Sequence, residues 1–184
     1  MTLTNGLVVI TPTSVSKVNG SISIRSDGSV AFTNIDVAYI NGVFTSEYDN
    51  YMVVINHSET SAGGANYIMR LTSGGTANTG SYTRQILYIN GSTATASRAN
   101  TNYFVTGSTA AYRSGQTVYF FGPYLTQRTV MRSLTGTGYP SSTPAVLADF
   151  ASLLDADYSA DGFSLIPGSS QLSSGSLTVF GFNQ

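Results

Sequence analysis

Short runs of β-branched and aromatic residues alternate with Gly, Ser, Asn and Asp along almost the whole chain. This alternation is typical of antiparallel strands that are joined by tight turns. About ten strands at this turn spacing predict an all-β fold, an antiparallel β-sandwich that is jelly-roll-like. The runs occupy residues 7–10, 21–25, 29–33, 35–39, 51–55, 67–72, 82–89, 103–106, 117–121, 163–166 and 176–182.

Two dipeptides and one strand carry the clearest local signals. Asp27-Gly28 lies between two alternating runs, which predicts a hairpin, and Asn41-Gly42 predicts a further turn. Residues 51–55 have apolar side chains on both faces of the expected strand. This pattern favours a central strand that is buried on both sides.

Three segments fit the strand pattern less well. Residues 145–154 follow a proline and have apolar side chains at three- and four-residue spacings, which favours one short helix, with a strand as the alternative. Residues 93–102 are small and polar, and residues 134–144 contain two Gly and two Pro. Both are expected to be surface loops, and a contact arm is the alternative for either.

The length of 184 residues suits one folded unit with a sizeable core. Residues 1–40 precede the segment in which most of the motifs lie. They contain a proline and the predicted hairpin, so we expect folded N-terminal strands, or a docking extension, packed on a main domain of residues 41–184.

Charged residues make up only 9% of the chain, whereas aromatic residues make up 11% and argue against disorder. The net charge is −1 and Lys17 is the only lysine, so nucleic acid is not an expected partner. The absence of cysteine excludes disulfides and sulfur-ligated metals. No basic leader and no apolar stretch of about 20 residues is present, which predicts synthesis in a cytoplasm without membrane insertion.

His57 is the only histidine, so any catalytic triad would have to use it. Its neighbours Ser58 and Glu59 alternate across a strand and cannot complete a triad with it, which favours a structural or surface role. Glu47 and Asp49 share a face if extended, and would then approach the carboxylate spacing of about 5 Å in retaining glycosidases. Turn positions are the favoured interpretation of these two acids.

The segments Asp155-Ala156-Asp157 and Asp161-Gly162 resemble the start of a calcium loop. An EF-hand loop needs oxygen ligands at alternate positions, a glycine at the sixth and a glutamate at the twelfth. Here the glycine is displaced and the glutamate is missing, so a polar loop is favoured. We predict no metal, no cofactor and no catalytic residue, and therefore not an enzyme.

Aromatic side chains are the remaining candidates, as platforms on which sugar rings stack. Strand alternation assigns several of them to the core. The residues in loop-like sequence are the better surface or glycan contacts, and they are Tyr112, Arg113, Tyr139 and Tyr158.

The segment VFTSEYDNYMVVI at residues 43–55 resembles a strand start found in small structural proteins of tailed-bacteriophage virions, cyanophages especially. Similar segments follow in the same order, and their collinearity carries the resemblance. They are residues 67–76 (YIMRLTSGGT), 81–82, 122–129, 161–165 (DGFSL) and 174–181 (SGSLTVFG).

The resemblance covers residues 40–182 and implies a β-sandwich that serves as a decoration, fibre or baseplate module. It implies a virion protein assembled in the bacterial cytoplasm, a capsid decoration (cement) protein or a head or tail appendage. Expected partners are further copies of the chain, as a homotrimer, and the major capsid or tail protein. The alternatives are a glycan-binding module that recognises the host surface, and a depolymerase built on Glu47, Asp49 and His57.

Overall fold

A computed structural model of the chain describes residues 6–59, 66–90, 92–108, 114–137, 146–168 and 171–183. These residues form sixteen strands and no helix. The strands are β1 (Val8–Ile10), β2 (Ser14–Val18), β3 (Ser21–Ile24), β4 (Val30–Ile35), β5 (Val37–Asn41), β6 (Asn50–Glu59), β7 (Asn66–Ser73), β8 (Thr76–Ala77), β9 (Tyr82–Asn90), β10 (Thr93–Thr101), β11 (Phe104–Ser108), β12 (Ser114–Phe121), β13 (Gln127–Thr137), β14 (Val146–Tyr158), β15 (Gly162–Pro167) and β16 (Leu172–Phe182).

The strands form two antiparallel sheets that pack face to face, so the predicted all-β sandwich is confirmed. The larger sheet has ten strands in the order β10-β9-β14-β13-β12-β6-β16-β4-β3, with β1 beside β16. The smaller sheet has six in the order β11-β7-β15-β5-β2, with β8 beside β7. The strands of residues 8–41 lie in both sheets, because β1, β3 and β4 join the larger one and β2 and β5 the smaller.

The core between the sheets is an aromatic cluster centred on Phe120 of β12. The rings of Phe44, Phe104 and Phe163 lie 5.5, 5.8 and 6.1 Å from it. Phe44 in turn meets Tyr51 edge to face at 4.8 Å. All five side chains are at most 1% exposed, so these rings join strands of both sheets.

The predicted local signals hold at Asp27-Gly28 and in part at β6. Asp27-Gly28 connects β3 to β4, and the Asp27 carboxylate accepts the Ser29 N–H at 2.9 Å. Strand β6 is central, between β12 and β16, as predicted. Its outer face is not buried, however, since Val54 is 39% exposed.

The predicted helix at residues 145–154 is wrong, and the alternative is observed. Strand β14 runs from Val146 to Tyr158 between β9 and β13. Ala148, Phe150 and Leu154 face inward with period two, and partners on both sides satisfy the extended backbone. In the described residues, no helix has the length and apolar character needed to cross a bilayer.

The predicted loop at residues 93–102 is also wrong. Strand β10 occupies most of it and pairs in unbroken register with β9. Small polar residues extend here because the neighbouring strand supplies the backbone partners. The second predicted loop begins within β13, and its residues 138–144 lie outside the described residues.

Gly162 lies where β15 meets β5, and a Cβ atom there would be 2.1 Å from the Ile40 carbonyl oxygen. We expect Gly162→Ala to lower the free energy of unfolding by about 1–3 kcal/mol, because backbone has to move to admit the methyl group. Gly136→Ala is the matched control, since nothing lies within 4 Å of its Cβ position. Urea unfolding of both variants measures the difference, and equal stabilities would contradict the expectation.

Candidate functional site

Tyr158 is the one predicted contact residue within the described part of the chain; Tyr112, Arg113 and Tyr139 lie outside it. Tyr158 ends β14, is half-buried and packs against the core. Its hydroxyl donates to the Thr76 carbonyl at 3.5 Å, and burial raises its pKa. A glycan contact at these four residues stays a prediction.

His57 lies inside the sandwich and is 2% exposed. Gln116 Nε2 is 2.9 Å from His57 Nε2, and an amide nitrogen can only donate, so this ring nitrogen accepts. With the Gln116 amide in this orientation, the neutral ring carries its proton on Nδ1, which donates to the Tyr67 hydroxyl at 2.8 Å. Both nitrogens are occupied, and desolvation lowers the pKa of His57 to about 4.

Further neutral polar groups continue this buried region between the sheets. The Thr106 carbonyl of β11 accepts hydrogen bonds from the hydroxyls of Ser133 and Thr135, the latter at 2.8 Å. A Cβ at Gly107 would lie 2.5 Å from Gln116 Nε2, so only glycine allows this approach. We call His57, Tyr67, Thr106, Gln116, Ser133 and Thr135 the polar seam. Its geometry is that of a structural hydrogen-bond network.

The acids near β6 do not meet His57. Glu47 lies in a turn and Asp49 in a bend before β6. Asn183 accepts the Asp49 N–H at 3.0 Å and donates to the Glu47 carbonyl at 3.3 Å. His57 follows Asp49 by eight positions of nearly extended chain, which is about 26 Å. The structure therefore does not bring these three residues together as one site.

Two acids of the calcium-like segment make contacts within the fold. Asp155 lies on β14 and pairs with Arg128 at 3.0 Å. The Asp161 carboxylate accepts the Gly74 N–H at 2.9 Å, and its carbonyl accepts the N–H of Val43 at 2.9 Å. Among the described residues, no three His, Asp or Glu side chains are grouped so that they could hold a metal ion.

Four aliphatic side chains are exposed together on the outer side of the larger sheet. Leu147 is 60% exposed, Leu87 48%, Leu134 45% and Ile89 40%. Leu147 is the cross-strand partner of Ile89, and Leu87 and Leu134 flank Asp149 in register. We call these four leucine and isoleucine residues the aliphatic face.

The aliphatic face borders a shallow groove of about 470 Å³. Gly115 and Gly136 are partners across β12 and β13, and Gly136 is also opposite Leu147. The two glycines leave the space beside Leu147 unfilled. The one acid in the lining, Asp149, is bonded to Arg132 at 2.7 and 3.2 Å, so its charge is compensated.

Sequence reasoning missed this face, although one signal was available. Residues 86–89 are apolar on both sides of the predicted strand, so this strand has a second apolar face that another layer of the fold or another molecule would have to cover. Leu134 and Leu147 lay in a predicted loop and a predicted helix. No local pattern could place them beside Leu87 and Ile89.

A second hollow, of about 290 Å³, lies over β4, β6 and β16 and is polar. Asn56, Ser58, Ser174 and Ser176 line it with Thr33 and Arg25. Gly175 at its floor accommodates Phe32, whose ring would be 2.5 Å from a Cβ there. Amide and hydroxyl groups beside one guanidinium can donate to and accept from sugar hydroxyls.

No protein-family model matches the sequence, and no curated protein or solved structure matches it significantly. The resemblance to phage virion proteins therefore stays a prediction that rests on its motifs.

The buried neutral His57 predicts acid sensitivity. Its folded pKa of about 4 lies below the ordinary histidine value of 6.5, so the unfolded chain takes up the proton first as the pH falls. The His57 contribution should be intact above pH 6.5 and lost between pH 6.5 and about 4, by about 3 kcal/mol.

Urea unfolding at a series of pH values checks this expectation. His57→Gln cannot titrate, so its stability should change less over the same interval, whatever its offset at neutral pH. The difference between the two pH profiles isolates the histidine from the carboxylates. Parallel profiles would contradict the assignment.

Proposed function

We propose that this chain is a structural protein of a tailed-bacteriophage virion that acts by assembly and binding and not by catalysis. It serves as a capsid decoration (cement) protein or as a head or tail appendage. Its partners are further copies of itself and the major capsid or tail protein, and it reaches the virion after synthesis in the host cytoplasm.

The aliphatic face is the observation that carries this proposal. Four large aliphatic side chains, each at least 40% exposed, lie at neighbouring positions of β9, β13 and β14 around Asp149 and line a shallow groove. Contiguous apolar patches on soluble proteins mark surfaces that another molecule covers. Interface cores are poor in unpaired charge, and the one acid in this face, Asp149, forms an ion pair with Arg132.

The scarcity of charge also supports a role on a particle. With 9% charged residues, the chain depends on apolar packing and backbone ladders. Such contacts change little with ionic strength, whereas exposed ion pairs are screened. A virion part that persists outside the cell benefits from this independence.

The segments that resemble virion proteins adjoin in the fold. Residues 50–55 and 174–181 lie in the neighbouring strands β6 and β16. Residues 67–73 and 162–165 lie in the neighbouring strands β7 and β15. Motifs far apart in sequence thus form the middle of both sheets, as expected if they specify one common fold.

Deletion of the gene from the phage that carries it tests the proposal. Particles without the protein should lose resistance to heat or osmotic shock if the chain decorates the capsid, because its contacts between capsomers are missing. Unchanged resistance with lost adsorption would assign it to the tail. Absence of the protein from purified wild-type particles would overturn the proposal.

Complementation with variants links the result to the aliphatic face. Leu147→Ser should reduce incorporation into particles, because it removes the most exposed aliphatic side chain of the face. Leu125→Ser is the matched control, since Leu125 is 43% exposed in the loop after β12 and lies away from the groove. Equal incorporation of both variants would argue against this docking surface.

The polar hollow favours a second function, recognition of host-surface glycan by a tail fibre or baseplate module. Asn56 and its hydroxyl neighbours offer neutral hydrogen-bond groups beside Arg25. A glycan array that includes host lipopolysaccharide should then show binding that Asn56→Ala weakens. Val54→Ala is the control, because Val54 lies two residues before Asn56 on the same face of β6. No binding at millimolar sugar would exclude this function.

A further inference from the structure

Strand β10 forms an open edge of the larger sheet. It pairs with β9 over nine residues, and none of the described strands lies on its other side. Seven of these nine residues are exposed and the other two are half-buried. The edge strand of the smaller sheet, β11, packs over β13, β14 and β9, so β10 projects beyond the sandwich.

Natural proteins usually protect such an edge with lysines, prolines, bulges or a very short strand. The sequence of β10, TATASRANT, contains no lysine, proline or glycine, and Arg98 is its single charge. Its register with β9 is continuous from Thr93 to Thr101. By contrast, the opposite edge of the sheet is β3, which has four residues. The β10 edge is therefore long and regular, and nothing in the described part of the chain protects it.

One hydrogen bond determines which backbone groups of β10 point outward. The Asp155 N–H of β14 donates to the Ser81 carbonyl at 2.8 Å, directly before β9. Odd-numbered residues of β9 therefore point toward β14 and even-numbered ones toward β10, because bonding alternates along a strand. Since Tyr82 pairs with Thr101, the odd-numbered residues of β10 point back to β9.

The N–H and C=O groups that point outward from the edge thus belong to Ala94, Ala96, Arg98 and Asn100. The hairpin agrees with this assignment, because Asn90 pairs with Thr93 across two residues. The two residues that flank a two-residue hairpin loop form backbone hydrogen bonds with each other, so their backbone groups do not point outward.

We propose that β10 pairs antiparallel with β10 of a second copy of this chain, about a two-fold axis at Ser97. The proposal deepens the proposed structural role, on whose premise of assembly by binding it rests, and names the partner. Around this axis Ala96 lies opposite Arg98 of the second copy, and Ala94 lies opposite Asn100. Each long side chain meets a small one, and no like charges face each other directly.

The pairing also extends the aliphatic face. Ala94 is the partner of Ile89 and Ala96 is the partner of Leu87, so β10 continues the outer apolar surface to the edge. A two-fold axis normal to the sheet places the outer faces of both copies on the same side. The dimer then presents two aliphatic faces to one larger partner. A homotrimer would instead need contacts between different edges, because one edge pairs with itself only across a two-fold axis.

Engineered cysteines test the register. The chain has no cysteine of its own, so Ser97→Cys introduces a single thiol. At the axis Ser97 faces itself in a pair without hydrogen bonds, with Cα atoms about 4.5 Å apart, a separation that a disulfide spans. Thr95→Cys is the control, because it is equally exposed but its copies would be about 14 Å apart.

Mild oxidation should give disulfide-linked dimers of the Ser97→Cys variant and not of the Thr95→Cys variant. Equal cross-linking of the two variants, or none in either, would overturn the proposed register. Both sites lie on the exposed strand, so random collisions would cross-link both alike.

Charge variants test the same register without cross-linking. Ala96→Glu faces Arg98 of the second copy and should tighten the dimer, whereas Ala96→Lys should weaken it. The two-fold axis places residue 96 opposite residue 98 twice in the dimer. These two equivalent pairs predict a change of about two- to thirtyfold in the dissociation constant, which sedimentation velocity measures. Adding Arg98→Glu to Ala96→Lys should restore the dimer. Ser23→Lys on the far edge is the charge control and should leave it unchanged.

The outcomes separate this proposal from the proposed function. A monomer at every concentration, a trimer, or shifts of the same sign in both Ala96 variants would overturn strand pairing and leave the virion role standing. Absence of the chain from purified particles would overturn the virion role, whereas the cysteine and charge results would still decide the pairing.

Discussion

The packing of one sheet against the other around Phe120 is the contact on which the rest of the structure depends. Rings from β11, β12 and β15 and from the loop after β5 meet there within about 6 Å. Each strand is extended and has only one face to bury, so these contacts set how the sheets lie on each other. The polar seam between the sheets follows from that placement, whereas pairing within each sheet sets the edges and the outer grooves.

The polar seam shows how a chain with few charges joins the sheets at one end. His57 bonds on both sides of its ring, and the Thr106 carbonyl receives two hydroxyls. The partners in the seam are neutral, so none of them carries the cost of burying an ion. His57 is neutral as well, because burial lowers its pKa to about 4. A residue that resembles a catalytic candidate in the sequence thus serves the fold.

Two features support assembly, and both lie outside the contact between the two sheets. The larger sheet is wider than the smaller one, so β10 projects beyond it. Among the described residues, no second layer covers the outer face of the larger sheet. The aliphatic face and the open edge are adjacent, because Ala94 and Ala96 pair with Ile89 and Leu87. One molecule therefore presents an apolar surface and a set of free backbone groups side by side.

Local chemistry in the sequence was sufficient for the all-β class, the Asp27-Gly28 hairpin and the central strand β6. Alternation and turn preferences act over a few residues, so a single sequence reveals them. Only the tertiary structure decided that residues 146–154 are extended and that β10 is an edge strand, because partners distant in sequence supply their hydrogen bonds. It likewise decided that Leu134 and Leu147 join Leu87, since pairing register determines which side chains share a face.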